Sequence, residues 1–152
     1  MTRVVALIAL LVLAGAVLAA PAAAAPKILD NTDLVAVTVP GQVVRGIPGG
    51  GFPWVIDEGS KARVDDEGEV KVVVHGLLFA PGTPFAGTTG PVHAVFASVV
   101  CADGSVASTA TVPLSSDGDA LIRDTVMLPA GCADPILLVR APSGAWLAEA
   151  GL

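Results

Sequence analysis

The chain has 152 residues, 53% hydrophobic, 4% aromatic and 14% charged, with 8 Lys and Arg against 14 Asp and Glu for a net charge of −6. That length suits one domain, and the apolar fraction excludes a wholly disordered chain. The acidic balance argues against nucleic acid as a partner, because a phosphate backbone needs a basic face.

Met1-Thr2-Arg3 supplies one cation, Val4 to Ala20 is an unbroken apolar run, and Pro21 to Ala25 is a small-residue stretch. This is the order of a secretory signal peptide, and a cut after Ala24 places Ala at the last and third-last positions of the leader. The alternative, an uncleaved anchor, is disfavoured because 17 apolar residues lie at the short end of a spanning helix and Gly15 weakens it. No Cys stands near the cleavage region to carry a lipid, and no second spanning run follows, so no stable membrane span is expected after cleavage. Loss of residues 1–24 leaves 7 basic and 14 acidic residues, a net of −7. The expected address is secreted or extracytoplasmic.

Residues 25–33 are short, polar and proline-bearing, and read as a flexible lead-in. Residues 34–152 lack an apolar stripe of helical period and show instead short β-branched runs between Gly, Pro and Asp clusters. The runs are Leu34–Val39, Val43–Ile47, Trp54–Ile56, Lys61–Val64, Glu69–Phe79, Val92–Cys101, Ser105–Leu114, Ala120–Leu128, Ile136–Arg140 and Ala145–Ala148. Their spacing predicts an all-β chain, a single antiparallel β-sandwich of seven to nine strands, with an immunoglobulin-like architecture open to it.

Asp103-Gly104 predicts a tight type I′ hairpin between Val99–Ala102 and Ser105-Val106. A longer loop, Asp65 to Gly68, joins Ala62–Val64 to Val70–Val72. In the strand after Gly104 one parity holds Val106, Ala110, Val112 and Leu114, which predicts that face inward. Glu69–Phe79 and Val92–Val100 are apolar on both parities and are placed centrally.

Cys101 and Cys132 are read as one disulfide, since an exported domain meets an oxidising compartment. Neither a Cys-x-x-Cys pair nor a thiol of lowered pKa is visible, so no redox role is assigned. Trp54 precedes both cysteines, whereas true immunoglobulin domains set their Trp between them.

The search for chemistry returns no catalytic residues and no cofactor. His75 and His93 are two strand histidines, fewer than the three or four ligands a zinc or copper site wants. No Gly-x-Ser-x-Gly elbow occurs. Gly49-Gly50-Gly51 lacks the strand and Lys-bearing helix of a phosphate cradle and reads as a flexible loop. Asp57-Glu58, Asp65 to Glu69 and Ser115 to Asp119 offer oxygen ligands of the kind calcium takes, but none matches the twelve-residue calcium loop, and Asp and Gly are turn formers in their own right. No metal is assigned. The aromatic residues are more suggestive. Phe52 and Trp54 follow the glycine run, and Phe85 sits in the long Pro81–Pro91 connection, so Phe52, Trp54 and Phe85 are the candidate binding-loop residues. The competing expectation is that Trp54 and Trp146 pack on Phe96 in the core.

At Gly49 to Trp54, the two cysteines, and Pro142 to Ala148, the chain resembles small exported proteins of GC-rich bacteria that lack an assigned activity. The resemblance implies a secreted all-β domain with one disulfide and brings no catalytic residue with it. The expected function is therefore a secreted, non-enzymatic binding or cell-envelope accessory module with an extracellular or envelope partner. The alternatives are an extracellular hydrolase with a dispersed triad and a small secreted protease inhibitor.

Overall fold

A computed structural model describes residues 27–152, so the expected signal peptide lies outside the described residues. Among the described residues there is no helix, and none long and apolar enough to cross a membrane. The chain is all-β. A four-stranded antiparallel sheet holds β1 (Lys27–Asp33), β6 (Lys61–Asp65), β7 (Glu69–Val74) and β12 (Ala120–Thr125) in that spatial order. A six-stranded sheet runs β10 (Val106–Ser108), β9 (Ala94–Val100), β13 (Ile136–Arg140), β14 (Trp146–Ala150), β2 (Val35–Ala36), with β11 (Val112–Pro113) also on β9. Two short pairs complete it, β3 (Val43–Val44) with β4 (Ile47–Pro48), and β5 (Trp54–Val55) with β8 (Leu78–Phe79).

The two larger sheets share one core. Alternation turns Ala62, Val64, Val70, Val72, Val74 and Ile122 inward from the four-stranded sheet. Across from them, rows such as Ala107, Val99, Leu137 and Ala150 come from the six-stranded sheet. That sheet buries much of its second face as well, since Val100, Ile136, Leu138 and Trp146 are also inaccessible. The β3–β4 hairpin lies over this second face. Its Arg45 Nη1 donates to the Val100 carbonyl at 2.5 Å, and Trp146 Nε1 donates to the Gln42 carbonyl at 3.0 Å. The double burial explains why β9 and β13 are apolar on both parities. Beyond the hairpin's cover, Arg140 stacks over Phe96 at 5.2 Å and donates to the Ser98 hydroxyl, which pairs with Ser108.

Several expectations are corrected. Residues 27–33 are no flexible lead-in: they form β1, held to β6 by a register that sets Thr32 opposite Ala62. Leu29 closes one end of the core, which gives this polar-looking segment a reason to be ordered. Val43–Ile47 is a hairpin rather than one strand, because Arg45 and Gly46 both take positive φ (46° and 80°). Glu69–Phe79 splits into β7 and β8. Asp119 accepts the Gly76 N–H and the Gly118 carbonyl accepts that of Leu77, so the chain leaves the sheet and pairs with β5. These splits raise the number of strands above the expected seven to nine.

The Asp65–Gly68 hairpin forms as expected, with Gly68 N–H donating to the Asp65 carbonyl. The Asp103-Gly104 hairpin forms with a different turn. Cys101 N–H donates to the Ser105 carbonyl across a three-residue connection in which only Gly104 has positive φ (83°). Asp103 is held out of that region by its own carboxylate, which accepts both the backbone N–H and the hydroxyl of Ser105. The extra residue shifts parity, so Ala107 points inward and Val106 is exposed, the reverse of the expected face. Cys101 and Cys132 form the disulfide, with Cα atoms 5.1 Å apart.

Candidate functional site

Two loops predicted to be separate features meet in one place. The first runs from Gly49 to Trp54. It is less flexible than its glycines suggested, because Gly49 and Gly50 are buried and bonded: Gly49 N–H to the Gln42 carbonyl at 2.7 Å, Gly50 N–H to the Trp146 carbonyl at 2.9 Å. A Cβ at Gly49 would come within 3.2 Å of the Trp146 ring, so the small residue permits the backbone to lie on the indole. Trp54 N–H then donates to the Val37 carbonyl and opens β5.

The second loop is Pro81–Pro91, which closes on itself through its own hydrogen bonds. Thr83 and Thr88 bond back to the carbonyls of Ala80 and Phe85, and the Thr88 hydroxyl also accepts the Gly90 N–H. Phe79 N–H donates to the Thr88 carbonyl, and its carbonyl accepts the Gly87 N–H. The loop is thus pinned to β8 at its neck.

Side chains from both loops converge on Phe79. Its ring lies 4.0 Å from Trp54, 5.2 Å from Phe85 and 6.0 Å from Phe52, and Phe52 meets Phe85 edge-on at 6.5 Å. Burial divides the four into two layers. Trp54 and Phe79 are 2% and 5% exposed, whereas Phe52 and Phe85 are 40% and 41% exposed. Of the three candidate binding residues, Phe52 and Phe85 therefore stand at the surface, and Trp54 lies beneath as their support. Trp54 and Trp146 are both buried, but Trp54 stacks on Phe79 and not on Phe96 as expected. Phe79 is the member the sequence reading missed. Its register opposite Trp54 in the β5–β8 pair was the signal, and that pairing spans a change of sheet.

Residues 49–55 and 76–92 contain no ionisable side chain. The exposed edges of Phe52 and Phe85 thus project from loops that carry no charge of their own, and depletion of charge is a feature of the centre of protein interfaces. Such a ridge offers ring faces and edges for apolar or C–H contacts.

The other candidate chemistry does not assemble. His75 Nδ1 lies 3.6 Å from Asp119 Oδ1, but the neighbouring Ser115 hydroxyl accepts the Asp119 N–H and makes no bond to the imidazole. Ser60 is likewise committed to the backbone N–H and carbonyl of His75. His75 and His93 lie just beyond the ends of β7 and before β9, and line different grooves. Among the described residues no three His, Cys, Asp or Glu side chains form a group that could hold a metal. The acidic loops have local duties instead: Asp65 accepts the Glu69 N–H, and Asp119 accepts that of Gly76. Compared with known proteins, the chain matches no family model, no curated protein and no solved structure.

Proposed function

We propose that the protein is an extracytoplasmic, non-enzymatic binding module of the cell envelope or its surroundings, and that Phe52 and Phe85 are its contact residues. The observation that carries this reading is the layered aromatic cluster: two exposed rings held by two buried ones, on loops pinned to the sheets by backbone hydrogen bonds. Fixed aromatic side chains lose little conformational entropy on binding and commonly anchor interfaces. The disulfide and the leader-like N-terminal sequence support the compartment.

The experiment is sedimentation of the purified mature chain with cell envelopes of the organism that makes it, alongside the F52S/F85S double variant. The expected result is retention of the parent and at least about a tenfold loss for the variant, the scale of a lost interface anchor. Equal retention of both removes the aromatic ridge as the contact. Covalent labelling by a fluorophosphonate probe would overturn the non-enzymatic reading.

A further inference from the structure

Among residues 27–152 there are seven Lys and Arg. Three have internal work: Arg45 bonds the Val100 carbonyl, Arg140 bonds the Gly144 carbonyl and Ser98, and Lys61 pairs with Asp33 at 2.6 Å. Three others, Arg63, Lys71 and Arg123, make no hydrogen bond or ion pair among the described residues. These three stand side by side. The register sets Arg63 opposite Lys71 and Lys71 opposite Arg123, so β6, β7 and β12 present one cation each in a single cross-strand row. The row lies on the solvent face of the four-stranded sheet, because the alternating residues Ala62, Val64, Val70, Val72 and Ile122 are core.

Like charges directly opposite one another across strands destabilise a sheet. This acidic protein has enough carboxylates to pair them, yet leaves them together. With strands about 4.8 Å apart, the row is roughly 10 Å long. Its two borders differ. On one side the next row is Lys61, Val73 and Leu121, with Leu121 51% exposed, and a groove of about 600 Å³ runs there between Lys71, Leu121, Arg123 and Pro113. On the other side the next row holds Glu69 opposite Thr125.

We propose that this row binds a linear anionic glycan, one chain wide, whose acidic groups sit on Arg63, Lys71 and Arg123 while its sugar rings lie against Val73 and Leu121. Charge complementarity sets the sign of the ligand, and the two guanidinium groups suit planar carboxylates. The width follows from Glu69, whose charge would face a broad anionic sheet such as a membrane but lies outside a single thread. The apolar strip beside the cations matches the C–H faces of a sugar backbone. This site is separate from the aromatic ridge and does not rest on it.

The test is titration calorimetry of the purified, oxidised chain with a linear oligogalacturonate, which carries one carboxylate per sugar, and with a neutral maltooligosaccharide of equal length. Binding of the charged oligomer only is expected, weakening as salt rises from about 0.05 to about 0.3 M. The R63Q/K71Q/R123Q variant is expected to bind at least about tenfold more weakly. A variant matched in net charge on the other sheet and its flanking loop, V35E/V39E/V106E, should bind within about twofold of the parent. If the triple variant fails to fold, R123Q alone on the exposed edge strand should lose about threefold. The proposal is overturned if the parent binds neither oligomer or both alike, if the two charge-matched variants weaken binding equally, or if anionic vesicles capture the chain and the oligogalacturonate does not.

Discussion

Trp54 and Phe79 face each other across the β5–β8 pair with ring centroids 4.0 Å apart and planes inclined by 32°. Phe79 also touches both exposed rings, so it is the common support of the ridge. Phe79→Ala should therefore cost about 3–4 kcal/mol, the range for a buried aromatic ring, and should weaken partner binding as well. Phe52→Ser or Phe85→Ser, at sites already some 40% exposed, should cost no more than about 1 kcal/mol. Urea denaturation of the three variants checks this. A loss at Phe52 equal to that at Phe79 would make the ridge a core element.

Gly90 is tied to the same support. It has φ +53°, and a Cβ there would lie 2.6 Å from Phe79 Cε2 and 3.1 Å from Phe85 Cγ. Because Phe79 is buried and also packs against Trp54 at 4.0 Å, the ring has little room to yield. Gly90→Ala should cost about 2 kcal/mol from strain and overpacking together and should change the near-ultraviolet circular dichroism of the aromatic residues. Gly82→Ala in the same loop meets nothing within 4 Å and should leave that spectrum unchanged, its smaller cost coming from its φ of +86° alone.

How much of this was legible in one dimension varies with the kind of interaction. The Asp65–Gly68 hairpin was readable because Ala62 to Val64 and Val70 to Val72 alternate on either side of a turn-forming run. The disulfide was readable from the count of cysteines and the leader. The Arg45-Gly46 turn was not, since an Arg at positive φ gives no compositional sign, and it is held by a bond to Val100, 55 residues away. Phe52 and Phe85 were identified singly, but their meeting depends on Phe79, which sat inside a run apolar on both faces. The row of Arg63, Lys71 and Arg123 was invisible for a related reason: it exists only once the register of β12 on β7 is known.

The disulfide joins the end of β9 to the loop before β13, across a separation of 31 residues. Next to it, Ala102 N–H donates to the Ala133 carbonyl, so the two segments are already adjacent without the bond. The bridge therefore acts chiefly on the unfolded chain. Cys101→Ala with Cys132→Ala should lower stability by about 3 kcal/mol on the chain-entropy model. The fold should persist, because β9 and β13 remain paired over five residues. Guanidinium melts of the oxidised and double-Ala proteins test this, and loss of the cooperative transition in the variant would show that the bridge is needed for the sheet itself.

Glu149 lies on β14 opposite Leu138, and burial pushes its carboxyl above the ordinary carboxylate range despite the Leu152 N–H that it accepts. A carboxyl whose pKa is raised on folding binds its proton more tightly in the folded chain. Stability from this group is greatest when it is protonated and declines as pH rises through the interval between its unfolded and folded values. Asp103 has the opposite sign. The hydroxyl of Ser105, and then its backbone N–H, hold that exposed carboxylate below its usual value, so its contribution is present at neutral pH and is lost as pH falls through the folded value. Glu149→Gln keeps an oxygen for Leu152 and removes the half-buried charge, so it should raise the Tm at pH 7 by about 1–3 °C. The gain should shrink as the pH is lowered and the parent's Glu149 takes up its proton. Asp103→Asn should produce the reverse pattern, a lower Tm at pH 7 with the difference closing in acid. Scanning calorimetry across the acid range separates the two, and a Glu149→Gln effect that does not change with pH would assign it to packing rather than charge.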